Sequence, residues 1–123
     1  MRLGANDAWT LLRAADHGVL ATVSAERGVD AVPVVFALDG ERIVLPVDTV
    51  KPKTTTRLQR LDNLAHDPRC ALLVDHYDDD WSALWWVRVS GTATVVEGGH
   101  PALTRFPAYE RAGAVAATIV LEP

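Results

Sequence analysis

Lys51 and Lys53 stand just ahead of a predicted helix that opens with Thr54, Thr55 and Thr56. An ammonium is a compact charge, and a helix start offers unpaired N–H groups and the positive end of the helix dipole. With the threonine hydroxyls these groups converge on an anion, and phosphate is the natural guest. Arg57 and Arg60 lie a turn further along and can add to it. A solvated basic patch accounts for the same residues, and spacing alone leaves both readings open.

A second cluster is aromatic: Trp81, Trp85 and Trp86 are three of four tryptophans. Strand alternation puts Ala83, Trp85, Val87 and Val89 on one face, and Leu84, Trp86, Arg88 and Ser90 on the other. The first is a core face. The second joins an indole to a guanidinium, which suits a subunit interface or a planar ligand.

Pro33 and Pro46 fall inside predicted strands. Proline gives no N–H to a ladder, so each marks an edge, a bulge or a place where pairing stops. Their expected placement on the two strands of one hairpin points to a shared opening there. Other chemistry is sparse. His17, His66, His76 and His100 lack paired metal spacing. Asp78-Asp79-Asp80 reads as a solvated loop, and Cys70 as a small buried hydrophobe. No nucleophile elbow, phosphate loop or glycine-rich dinucleotide fingerprint occurs. Reactivity, if the chain has any, comes from a bound cofactor.

The elements that must position these residues follow from pattern. A helix is expected over Asn6–Gly18, capped by Asn6 or Asp7 and closed by Gly18. Strands Val19–Ser24, Val29–Leu38 and Arg42–Val47 form a predicted meander, with a hairpin at Asp39-Gly40. The second helix carries a capping box, Thr56 with Gln59, and a stripe of Leu58, Leu61 and Leu64 or Ala65; Asp67-Pro68 ends it. Strands Cys70–His76 and Ala83–Val96 follow, the latter bent near Ser90-Gly91. A helix over His100–Arg111 and a strand over Val115–Leu121 complete the chain. So many short strands favour closure, and the expected fold is α+β around an antiparallel barrel.

The chain has 123 residues, enough for one domain with one core but short of material for an enclosed cavity. A site built between two subunits answers that shortage. The formal net charge of −4 argues against nucleic acid or anionic lipid as partner. The single cysteine excludes an internal disulfide and fits a reducing cytoplasm; Met1–Asp7 lacks a secretory pattern.

Taken in order, Gly18–Val23, Val32–Phe36, Lys51–Thr54, Asp67–Arg69 and Trp85–Ala93 resemble the flavin/deazaflavin-dependent oxidoreductases, which share the split β-barrel of pyridoxamine 5′-phosphate oxidase. The run Leu72–Ser82 looks characteristic of a subgroup described as probable F420-dependent enzymes. The resemblance spans roughly residues 9 to 111. It implies an antiparallel split barrel and a homodimer with cofactor sites at the subunit interface. It places the cofactor ring near Pro33, Val34, Val35, Val47 and Asp48, and the phosphate-bearing tail near Lys51, Lys53, Thr54 and Arg57. Trp85, Trp86 and Arg88 would lie near the partner subunit or the ring.

Relatives often continue past the position of Pro123 with an aromatic-rich tail, so a more open or an incomplete site is expected here. The segment Lys53–Asp67 is also longer than in several relatives. The leading expectation is an F420-dependent reductase passing hydride to an electron-poor small molecule, with FMN as the alternative cofactor. A non-catalytic module holding a cofactor or tetrapyrrole, and a plain dimeric scaffold, remain the rivals from other classes.

Overall fold

The computed structural model describes residues 4–48, 56–110 and 114–123, without the side chains of residues 48 and 56–58. Helix α1 (Ala5–Ala14) leads into β1 (His17–Ser24), β2 (Gly28–Val35), β3 (Ala37–Asp39) and β4 (Arg42–Asp48). Helix α2 (Thr56–His66), β5 (Arg69–His76), β6 (Trp85–Glu97) and β7 (Val115–Glu122) follow. Short 3-10 turns occupy Trp81–Ala83, Pro101–Arg105 and Pro107–Tyr109.

The strands form one seven-stranded antiparallel sheet in the order β2-β1-β5-β6-β7-β4-β3. Its two outermost strands, β2 and β3, are consecutive in the chain and separated only by Phe36. The sheet must therefore curl until its edges meet, yet no ladder joins them. This is a split barrel, the α+β fold expected from the sequence.

Alternation fills the interior. Leu20, Leu72, Val74, Val87, Val89, Ile43, Leu45, Ile119 and Leu121 are all buried there. Leu12 of α1 and Leu64 of α2 join the same core. A smaller cluster lies outside the barrel, where Leu103 of the first proline-led turn covers Ala37, Val44 and Val115. The exterior of β3, β4 and β7 is thus covered by the chain itself.

Several expectations are corrected. The first helix stops at Ala14, and Gly18 lies within β1. A Cβ at Gly18 would stand 2.6 Å from the carbonyl oxygen of Leu73, so glycine serves close strand approach there rather than a helix end. Val29–Leu38 is two strands, broken at Phe36, whose N–H donates to the Asp16 carbonyl at 3.0 Å. The meander is consequently two separate hairpins, β1–β2 and β3–β4. Pro33 faces Val19 in the first, and Pro46 faces Thr118 of β7, so the prolines do not share a hairpin.

Each proline still keeps its expected meaning. Pro33 is on an edge strand, and Pro46 lies beyond the three pairs that β4 makes with β3. The segment His100–Arg111 is not an α-helix: Pro101 and Pro107 each open a short 3-10 turn, and Pro107 has no N–H to continue a helix. The Asp39-Gly40 hairpin and the helix stop at Asp67-Pro68 occur where predicted.

Candidate functional site

A cleft of about 340 Å³ lies between the β1–β2 hairpin and the first half of α2. Arg27, Asp30, Ala31, Val32, Gln59 and Arg60 line it, with Thr22 at its floor. This volume is at the small end for ligand pockets, which run from about 300 to 1,000 Å³.

Two arginines there have opposite electrostatic situations. Arg27 is neutralised: its Nε donates to Asp30 Oδ1 at 2.9 Å and its Nη2 to Oδ2 at 2.7 Å. These bonds, followed by one from Asn63, hold the Asp30 carboxyl down at about 2. The stabilisation is complete above the ordinary aspartate range and is lost as pH falls towards 2.

Arg60 is half-buried, and desolvation lowers its guanidinium from the usual arginine value, with the nearby Tyr109 acting the other way. No carboxylate pairs with Arg60 among the described residues. A partly desolvated cation without a counter-charge is a costly arrangement that an anionic ligand relieves.

Beside it runs a sheet edge. The backbone N–H and C=O groups on the outer side of β2 have no neighbouring strand. Such an edge matches a flat heterocycle with alternating donors and acceptors. Chemically, then, Arg60 suits an anionic group and the β2 edge a planar group with hydrogen-bonding donors and acceptors. The cleft-lining residues include no histidine, cysteine, methionine or tyrosine, so they offer no side chain of the usual kinds to a heme iron.

A larger open depression of about 640 Å³, lined by Trp9, Asp39, Glu41, Arg42 and Glu122, is acidic. Its arginine is already bonded to Glu122 at 2.9 Å, so it does not suit an anion.

The expected site residues scatter in an informative way. Pro33, Val34 and Val35 are on β2, beside the cleft's strand positions. Val47 points inward and is fully buried, and Asp48 ends β4 just after a register shift. Arg57 is in the first turn of α2, with its side chain outside the described residues; Lys51, Lys53 and Thr54 lie outside them altogether.

Trp85 is a core-side residue stacked on His76 at 6.2 Å. Trp86 and Arg88 face outward, the guanidinium 5.7 Å from the indole ring. Ala83, expected on the core face, is exposed in the 3-10 turn before β6.

The pairing registers place Pro33, Val19, Leu73 and Arg88 side by side across β2, β1, β5 and β6, and Ala31, Ala21, Ala71 and Ser90 form the next row. Three interstrand spacings of about 4.8 Å put Pro33 and Arg88 roughly 14 Å apart. Within one chain, Trp86 and Arg88 therefore do not reach the cleft. They belong to a broad outer face on which Leu73 is 41% and Trp86 55% exposed, with no described element covering it.

Sequence reasoning passed over Arg27, Asp30, Asn63 and Thr22. One signal was available: Asn63 is a polar residue set between Leu61 and Leu64 on the apolar side of α2. Cys70 is buried and its thiol is pushed up to about 11, as befits a packed hydrophobe rather than a nucleophile. No described helix is long and apolar enough to cross a membrane.

One antiparallel sheet, curled so that its two unpaired edge strands are consecutive in the chain, defines the split-barrel class of fold. The family model for pyridoxamine 5′-phosphate oxidase matches residues 8–122, and the chain belongs to that family. No curated protein matches it.

Among solved structures, a heme binding protein from Mycobacterium smegmatis superposes with a TM-score of 0.68 at 24% identity, over 98% of this chain and 52% of the other. This chain thus spans about half the length of that protein. A FAD binding protein from the same organism gives a TM-score of 0.64 at 19% identity, covering 98% of this chain and 91% of that one. The heme storage protein from Vibrio cholerae gives 0.66 at 14% identity, covering 100% and 92%. At these identities the likeness extends to the fold.

Proposed function

We propose that this protein is an oxidoreductase that binds a flavin-type cofactor in the cleft between β2 and α2. The observation that carries the reading is Arg60, a half-buried guanidinium beside a free strand edge with no carboxylate partner among the described residues. The finer assignment is coenzyme F420, with hydride passed to an electron-poor small molecule; FMN is the alternative. The resemblance of Leu72–Ser82 to the probable F420-dependent subgroup supports the former.

When bound, such a cofactor supplies the hydride chemistry. The chain's own residues bind and orient it. Arg60 holds the anionic tail, and the β2 edge around Ala31 and Val32 fixes the ring plane. Asp30 keeps Arg27 neutralised, so the cleft presents a single unpaired charge among its described residues.

A second copy of the chain is the proposed occupant of the bare outer face of β1, β5 and β6, consistent with a site completed between subunits. Leu73→Glu is expected to raise the dimer dissociation constant at least about a hundredfold, because a twofold axis brings the new carboxylates into one apolar patch. Leu73 is half-exposed, so the monomer should stay folded. Light scattering decides this: a dimer unaffected by the change, or a wild-type monomer, removes the face as an interface.

The functional test is a titration of the purified protein with F420 and FMN, read by cofactor fluorescence. Micromolar or tighter binding of F420, with FMN weaker, supports the reductase. Preference for FMN moves the assignment to the oxidase-like alternative, and a folded protein that binds neither overturns the reading.

A further inference from the structure

We propose that Asn63 is a positioning residue that locks α2 onto the β1–β2 hairpin and thereby holds Gln59 and Arg60 at the cleft. The role at the cleft rests on the cofactor reading above. Asn63 is 3% exposed, and its amide is fully engaged by three side chains from three elements. Nδ2 donates to Thr22 Oγ1 of β1 at 2.9 Å and to Asp30 Oδ2 of β2 at 2.8 Å. Oδ1 accepts from Gln59 Nε2, one turn back on α2, at 2.8 Å.

Apolar packing alone does not fix the rotation of a helix, because neighbouring rotations bury similar area. A buried amide is less forgiving: a small rotation of α2 leaves its N–H groups without partners and without water. The lock is also charge-assisted, since Asp30 is ionised and already held in place by Arg27. Gln59 and Arg60 precede Asn63 by four and three residues, so they share its side of the helix. Fixing the amide therefore fixes where the guanidinium meets the cleft.

The test exchanges donor and acceptor. Asn63→Asp sets a second carboxylate against Asp30 with almost no change of shape. In ligand-free protein, hydrogen-exchange protection of α2 should fall at least about tenfold relative to β5 and β6. The flavin dissociation constant should rise by at least a similar factor.

Adding Asp30→Asn should restore most of the α2 protection. The new amide at position 30 can donate to the new carboxylate at position 63, towards which the Thr22 hydroxyl can also turn its proton. A generic loss of packing would not be rescued this way. Should Asn63→Asp fail to fold, Thr22→Val decides: it removes one acceptor at constant shape, and α2 protection should fall severalfold with the strands unchanged.

Unchanged α2 protection in the folded variants, equal loss in every strand, or no recovery in the double variant overturns the lock. So does a flavin affinity that stays at the wild-type value while α2 loosens. Wild-type protein that binds no flavin overturns the cofactor reading, and the exchange measurements on ligand-free protein still decide the lock.

Discussion

Arg60→Glu is expected to weaken cofactor binding about a thousandfold while leaving the protein folded. A charge-assisted hydrogen bond to a phosphate contributes about 1.5–3 kcal/mol, and a carboxylate in its place adds repulsion of comparable size. Their sum, about 4 kcal/mol, corresponds to three decades in the dissociation constant. Folding should respond differently. The guanidinium is half-buried without a carboxylate partner among the described residues, and its desolvation opposes the charged form. Arg60→Met, which keeps the apolar stem and drops the charge, should therefore melt at or slightly above the wild-type temperature and bind at least tenfold more weakly. Stability and affinity moving in opposite directions is what a ligand-binding cation produces. An unchanged dissociation constant in Arg60→Glu would remove the cleft as the site.

The charge patterns behind this prediction were partly legible in the sequence. Arg60 entered only as a possible addition to an anion site centred on Lys51 and Lys53, whereas the alternation of Trp86 and Arg88 against Val87 and Val89 gave the correct faces of β6. Both signals are local, resting on side-chain spacing within one element. The lock around Asn63 was not legible, because its partners Thr22 and Asp30 are 41 and 33 residues away in the chain.

The break at Phe36 was hidden for a similar reason. Pro33 marks an edge or an interruption in Val29–Leu38 but does not locate the break at Phe36, where the chain passes from one sheet edge to the other and the Phe36 N–H bonds the Asp16 carbonyl. That hidden break is what separates Pro33 from Pro46 and leaves β2 as a free edge. The cleft therefore depends on a feature of closure that no local pattern encodes. The third helix is a different case. Pro101 and Pro107 were visible, and their missing N–H groups were sufficient reason to expect short turns.

Gly91→Ala is expected to be among the most destabilising single-methyl additions in the chain. β6 is one continuous strand that changes partners here: it pairs with β5 from Trp85 to Thr92, and with β7 from Thr92 to Glu97. To make the change, the end of β7 passes directly over Gly91. A Cβ at that position would collide with the Glu122 carbonyl oxygen and lie 2.9 Å from Pro123 Cα. These are backbone atoms, so no rotamer change relieves the contact, and the corner itself must open.

The expected loss is about 3 kcal/mol, the upper part of the usual range for overpacking. At roughly 4 °C per kcal/mol, the melting temperature should fall by about 12 °C. Gly99→Ala is the matched control: its Cβ would stand 3.6 Å from Val115 Cβ, an ordinary contact, and melting should stay within a degree or two of wild type. The damaged corner is in β6 and β7, whereas the cleft is built from β1, β2 and α2. Folded Gly91→Ala protein should therefore bind cofactor within about twofold of wild type. If the variant melts like Gly99→Ala, β7 does not cross β6 as described; if it folds normally but loses affinity, the cofactor site extends to the β6–β7 corner.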